Sequence, residues 1–530
     1  MKTPCRHIIL ISLSIFCMMP GFSQTWLRTD ITESNRLLIE KRKLHSPLSE
    51  HSSVNLLNLR PDDSLAMKFS QLTLSSDKLY FSFYPSFHLS AGLLRETKFF
   101  SNNSLGFNAD VAYNNSGHTL AMHAGTEIFA GVQPYYLRLL MRERQLVPGY
   151  MSFKNINRHW NLAYLPDLYL HYQSPWIVNL EAGIGKQFIG DGYRSLFISR
   201  NSSPYPYTRL GADFNNVHYQ MNWLWLRNSD SQSFHPRPKK FALIHYLSWN
   251  IHKRISVGLF ESIVWTKDDR MGYELQYLNP FIFYRPVEYS IGSSDNVLLG
   301  LNLRIGLTKN LFFYGQFLID DMKIGELAND IRHRLRPDDE TINYGWFANK
   351  YAGQAGLKYH DAFGLINLYL QTEINAVRPF VYAHNDVSQT YTHVYQALAH
   401  PLGSNFAEIL FRIGYRYRQY RVDLLGVYAK SGLSDRNNNQ GEDIFYPVSD
   451  GSNPNYITAS TYGNEIMQGI PVDLLYLKAD ICWIVTKQNS LELFISGFYR
   501  KGWESCATEI IDYGVLVGAR THPSWLSNIF

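Results

Sequence analysis

Between residues 78 and 521 the chain repeats one unit: an alternating apolar–polar run, a tight turn, a second such run, then a long segment. The stretch from Val297 to Asp321 shows it. Val297, Leu299, Leu301, Leu303, Ile305 and Leu307 take every second position, and Gly300, Asn302, Arg304 and Gly306 lie between them. Thr308-Lys309-Asn310 breaks the run and a second alternation follows. A period of two marks a strand whose two faces meet different surroundings. Tight turns fall at Asn114–Gly117, Ser174-Pro175, Phe214–Asn216, His252–Arg254, Thr308–Asn310, His360–Ala362, Arg418-Gln419 and Lys487–Ser490. Long segments fall at 91–104, 130–165, 189–204, 227–240, 267–295, 321–350, 377–404 and 431–470, with a shorter one at 501–508. The two kinds alternate strictly, as in a meander with short turns on one rim and long loops on the other.

Two solvents can explain such strands. A soluble sandwich turns its aliphatics inward and its charges outward. A membrane barrel does the reverse, with lipid outside and a polar lumen inside. The charges decide where to look. In the run 363–375, Ile366, Leu368, Leu370 and Ile374 oppose Asn367, Gln371, Glu373 and Asn375. In 405–417, Ala407, Ile409, Phe411, Ile413 and Tyr415 oppose Glu408, Arg412 and Arg416. In 471–486, Leu475, Leu477, Ala479, Ile481 and Trp483 oppose Lys478, Asp480 and Cys482. Tyr415, Tyr417, Tyr420 and Trp483 cluster at strand ends, as membrane-interface aromatics do. Aromatics are 15% and charged residues 18% of the 530 residues, an aromatic-rich and charge-poor balance for a soluble chain. The expected fold is all-β: a transmembrane antiparallel up-and-down barrel of about 18 strands (about 16 to 20), with long extracellular loops and short periplasmic turns. The first strand is expected near 78–90 and the last near 509–521.

The N-terminus reads as an export signal. Lys2 and Arg6 precede the apolar run Ile8 to Met19, and Gly21 and Ser23 supply small residues before a cut after Ser23. The domain expectation is 1–23 signal peptide, 24–77 a short periplasmic segment with a helix in "TESNRLLIEKRKL", and 78–530 the barrel, in the cell outer membrane. Two cysteines leave with the signal. Cys482 and Cys506 remain, and counting back from the turn at 487–490 places Cys482 opposite about Ile495. Cys506 then lies too far along for a bridge, so two free thiols are expected.

No catalytic, cofactor or metal motif stands out. "DRNNNQGED" from Asp435 lacks the glycine and the final Glu of a calcium loop. The pairs Glu261/Glu274 and Asp320/Asp321 resemble glycosidase carboxylates only in type. No nucleophile elbow or HExxH occurs, and scattered basic residues exclude a nucleic-acid partner. The expectation is a non-enzyme without cofactor. The long segments hold the candidate ligand residues: Asp191, Tyr193, Arg194, Tyr205, Tyr207, Arg285, Arg378, Tyr382, His384 and Asn385. Tyrosine faces stack on sugar rings while Asn, Asp and Arg bond hydroxyls. The competing reading is that these loops fold inward and their aromatics pack a plug. The lumen should carry a charge network of Arg304, Glu373, Glu408, Arg412, Arg416 and Asp423, either an ion or sugar path or a mixed-charge filling. Across the turn at 418-419, Arg416 falls opposite Arg421, with Asp423 diagonal to it.

Four stretches carry a family resemblance: "GKQFIGDGYRSLFISRNSSPYPYTRL", "YLNPFIFYRP", "GSSDNVLLG" and "QTEINAVRPFVYAHND…YTHVYQALAHPLGSNFAE". With them the chain, from about residue 80 to 520, resembles the Wzi-like capsule-assembly outer-membrane proteins, and most of all their gliding-motility-associated branch. The resemblance implies a closed barrel that binds or organises cell-surface polysaccharide, for capsule retention or for adhesion and gliding. The partners it implies are outer-membrane lipid, surface polysaccharide and other envelope proteins. A channel for small solutes is the alternative, and the state of the lumen discriminates: a plug favours the first, an open bore the second.

Overall fold

The computed structural model describes residues 78–95, 99–132, 137, 147–155, 161–228, 239–266, 295–435, 438–448, 459–485, 491–503 and 509–521, with short strands at 26–28, 56–58 and 72–75. The signal sequence, the expected helix in 24–77, Arg285, Glu274 and Cys506 lie outside the described residues.

Eighteen antiparallel strands close a single barrel. They are β1 (Leu79–Leu94), β2 (Phe100–Asn115), β3 (His118–Val132), β4 (Asn161–Gln173), β5 (Val178–Gly185) and β6 (Tyr205–Phe214). Next come β7 (Val217–Arg227), β8 (Lys239–His252), β9 (Ile255–Thr266), β10 (Asn296–Gly306), β11 (Leu311–Asp321) and β12 (Lys350–His360). The ring ends with β13 (Leu368–Val377), β14 (Phe406–Tyr417), β15 (Tyr420–Leu433), β16 (Ile470–Ile484), β17 (Glu492–Trp503) and β18 (Glu509–Arg520). Each strand pairs with the next in sequence, and β18 returns to β1 from Gly514 opposite Leu94 to Arg520 opposite His88. The short strands 72–75 and 152–155 extend the edges of β1 and β4. Closure leaves the ring without free edges, the condition for burying a backbone in hydrocarbon.

The alternation expected from the sequence holds among the described residues, the turn at Lys487–Ser490 lying outside them. Links of a few residues join β2 to β3, β4 to β5, β6 to β7, β8 to β9, β10 to β11 and β14 to β15, and the long segments leave from the opposite rim. Two expectations are corrected. The segment 91–104 is not long: β1 runs to Leu94 and β2 starts at Phe100. The strand placed at 363–375 begins only at Leu368, because Ala362–Gly364 form a 3-10 turn and Ile366 sits at 72% exposure beyond it.

The faces sort by chemistry. On β10, Leu301 is 44% exposed and its neighbour Asn302 only 1%. On β14, Phe411 and Ile413 point out while Glu408 and Arg412 are buried inside. Tyr113, Trp176, Phe214, Trp249, Tyr417, Tyr420 and Trp483 are exposed near the short-turn rim, forming an aromatic girdle. An apolar belt above such a girdle is the outer surface of a membrane barrel.

One sector departs from that belt. Met221, Phe241, Leu243, Ile263, Trp265 and Val297 on β7–β10 have outward parity, yet all are buried. His245 and Glu261, cross-strand partners on the same outer face, are also fully buried. The Tyr219 hydroxyl and His245 Nδ1 share a hydrogen bond of 2.7 Å. This part of the outer wall does not meet lipid.

Candidate functional site: loops that fill the lumen

The segment 186–204, between β5 and β6, does not rise from the rim. It crosses the lumen and bonds to β11–β14 on the far wall. The backbone N–H groups of Tyr193 and Arg194 donate to the two carboxylate oxygens of Glu373, at 2.7 and 3.1 Å. Tyr314 Oη and Asn375 Nδ2 donate to the same carboxylate. Gln316 accepts from the Leu196 N–H at 2.8 Å and donates to the Ile189 carbonyl at 3.2 Å. Gln354 donates to the Arg194 carbonyl. The "GDGYR" glycine now has a reason. A Cβ at Gly192 would fall 2.6 Å from Glu373 Oε2, so only glycine permits the approach.

The segment 378–405 folds down onto the first. Tyr382 Oη donates to the Leu196 carbonyl at 2.8 Å, and the Ser199 N–H donates to the Leu398 carbonyl at 2.7 Å. Phe197 stacks on Phe260 of β9, with centroids 4.5 Å apart and planes 9° off parallel. Leu196, Phe197, Ile198, Val381, Tyr382, Tyr391 and Leu398 share one buried cluster with Leu224, Ile244, Val264, Leu298 and Leu318 of the inner wall. Ile444, from the segment between β15 and β16, joins it. These loops are a packed plug.

That packing decides where the candidate ligand residues stand. Tyr205 and Tyr207 are buried on β6, and Tyr207 Oη donates to Glu181 at 2.6 Å. Tyr382 is fully buried, its N–H donating to Asp320 Oδ2, and burial raises its phenol well above the ordinary range. Arg194 is buried 3.7 Å from Glu408, and the Tyr193 ring lies between the guanidinium groups of Arg194 and Arg412 at 5.0 and 5.9 Å. Asp191 accepts from Asn302 Nδ2 at 3.0 Å and faces Arg304 at 3.5 Å. Arg378 donates to the Asn464 carbonyl and lies over the Tyr351 ring. Most of these groups are therefore occupied within the plug. His384 is half-buried and Asn385 exposed. Burial, and then the nearby Lys350 ammonium, lower the His384 pKa. Asp320 is engaged within the plug, accepting from the Tyr382 N–H and facing Lys350 at 3.7 Å, and an irregularity in the strand between Ile319 and Asp321 sets Asp321 opposite Lys350.

Part of the charge network is bound up with the plug, through Glu373, Glu408 and Arg304 on Tyr193, Arg194, His400 and Asp191, and part forms on β14–β18. Arg416 and Arg421 are direct cross-strand partners, as the turn register requires. Acids do intervene. Arg421 makes a two-pronged contact with Glu492, at 2.9 Å on each oxygen, and lies 2.7 Å from Asp423. Arg520 reaches Glu492 and Asp480 at 3.3 and 3.4 Å. Glu408, Asn375 and His400 form a second cluster, with His400 Nε2 2.9 Å from the carboxylate. Cys482 is a buried free thiol that lies opposite Phe494, one residue from the sequence expectation, within reach of Arg421 and Arg520. Sequence reasoning missed Gln316, Gln354 and Asn302 as plug anchors. Their inward parity was the available signal.

No family model matches the chain, and no curated protein does. Among solved structures the chain is similar to Wzi of Escherichia coli, described as an outer-membrane protein involved in group 1 capsule assembly and a carbohydrate-binding β-barrel. That match has 13% identity, 82% of this chain, 83% of the other and a TM-score of 0.48. It is also similar to OprD of Pseudomonas aeruginosa, at 9% identity, 83% and 94% coverage and a TM-score of 0.42. Acinetobacter baumannii OccAB1 follows at 7% identity, 83% and 96% coverage and 0.42. At these values the architecture rests on the chain's own strand pairing, and what those proteins bind stays with them.

Proposed function

We propose that the chain is a non-enzymatic outer-membrane barrel that holds or organises surface polysaccharide at its long-loop rim. The observation that carries this reading is the plug. Two loops joined to each other and to the wall by buried hydrogen bonds occupy the bore that a channel would keep open. A plugged barrel exposes its loops, not its lumen, to the outside. The rim residues His384, Asn385 and Asp386 carry the donors and acceptors that hydroxyl-rich ligands need. The sequence resemblance to capsule-assembly proteins points the same way, and the likeness to their gliding-motility-associated branch supports adhesion or motility as the setting.

A solute channel is the second reading. It is favoured by the polar side of the lumen, where Arg304, Asp423 and Lys478 side chains keep 14–15% of their exposure. One planar-bilayer recording separates the two. The purified barrel is expected to give no resolved conductance steps, and Glu373→Ala with Gln316→Ala is expected to introduce them. Steady steps from the unaltered protein would overturn the polysaccharide reading in favour of the channel.

A further inference from the structure

The link between β11 and β12 carries the one long helix among the described residues, α1 (Ile324–Leu335). It buries no residue. Ile324, Ala328, Ile331 and Leu335 recur at the spacing of one helical face, and Ile324, Ile331 and Leu335 are 77, 55 and 77% exposed. An apolar stripe this open needs an occupant.

The opposite face is fixed. The His333 ring stacks on Tyr344 with centroids 3.7 Å apart. Asp330 accepts from the Gly345 N–H at 2.6 Å and lies 3.8 Å from Arg378. The helix therefore cannot roll its stripe inward. Its charges are sorted as well. Both acids, Glu326 and Asp330, turn toward the anchored side, and Glu326 is engaged by Lys323 and Asn329. Arg332 and Arg334, both exposed, flank the stripe on its two sides, and exposed Arg336 follows at the helix end. Ile324 comes three positions after Asp321, the end of β11, whose outward Phe317 is 43% exposed on the belt. Next to it Lys323 lies over the Trp346 ring at 5.4 Å. A stripe of aliphatics between arginines, starting where a lipid-facing strand ends, has the composition of a helix lying in a membrane interface.

We propose that α1 is an interfacial anchor. It lies in the headgroup zone of the leaflet on the long-loop side, with Ile324, Ile331 and Leu335 among acyl-chain ends and Arg332, Arg334 and Arg336 on phosphates of anionic lipid. The proposal rests on the membrane reading of the barrel and is independent of what the plug does. The test uses the full chain in a Cys5→Ser, Cys17→Ser, Cys506→Ser background, Cys482 being buried. A nitroxide is attached at Ile331→Cys, with Phe317→Cys as lipid reference and Asp338→Cys as water reference, each checked for a folded, heat-modifiable band. Vesicles contain phosphatidylcholine with or without phosphatidylglycerol. The oxygen-to-nickel-chelate accessibility ratio at 331 is expected several-fold above that at 338, close to that at 317, and higher with phosphatidylglycerol. Arg332→Gln with Arg334→Gln and Arg336→Gln should remove the phosphatidylglycerol increment. A water-like ratio at 331, or shielding from both reagents by protein, overturns the proposal. An increment that survives the triple substitution overturns its headgroup assignment.

Discussion

Arg421 gathers Glu492, Asp423 and the Cys482 sulfur around one guanidinium. Removing it leaves two carboxylates without their main counter-charge, and breaking a buried pair from one side costs about 3–5 kcal/mol. Arg421→Met is therefore expected to lower the urea midpoint of the folded band sharply, and Glu492→Leu in the same chain to recover part of the loss. An unchanged midpoint in the single variant would mean that water already screens the cluster. Parity makes the second residue-scale prediction. Leu301→Arg puts a charge on the lipid face and should cost roughly 2–4 kcal/mol near the midplane. Asn302→Arg, one position on, should leave the barrel assembled. Asn302 bonds to Asp191 and Gln316, however, so a larger side chain there should loosen the plug and raise protease cleavage within 186–204. Equal loss of folded protein in both variants would contradict the parity.

At the scale of elements, the β2–β3 hairpin shows how a turn fixes register. Asn115 faces His118, and the two residues between, Ser116 and Gly117, have φ of 50° and 86°. Such a turn matches strand twist and favours Asn-Gly. A Cβ at Gly117 would also lie 2.8 Å from that of Pro175 in the next hairpin. Gly117→Val should lose about 1–2 kcal/mol from backbone strain, and Ser116→Asn should be neutral or slightly stabilising, both read as thermal midpoints. Strands like these were legible because one face met lipid and the other did not. Legibility failed where that contrast disappears. In β8 the four residues Phe241, Ala242, Leu243 and Ile244 are apolar without alternation. The even ones press on the plug and the odd ones lie under the covered outer wall, so both faces are dry. A continuous apolar run is the pattern of a strand buried on both sides. The site was less legible still. Tyr193 and Arg194 could be picked as loop residues, but their partner Glu373 lies far along the chain on β13, and no local pattern joins them.

On the scale of the whole molecule, the one-sided distribution of loops sets orientation. An epitope inserted at Asn438 should be labelled on intact cells, and one at Lys309, in the β10–β11 turn, only after the envelope is opened. Surface labelling at 309 and not at 438 would invert the barrel. The loop that leaves β5 and returns through β6 grips β13 and β14, which stand nearly half a circumference away. The plug is thus a spoke as well as a stopper. A hollow ring flattens under a sideways pull, whereas a ring with a bar across it passes the pull to both walls. Tension applied to the outer loops would reach the hoop of strands at two opposed points, and the load would spread around the circumference instead of peeling one hairpin from its neighbour.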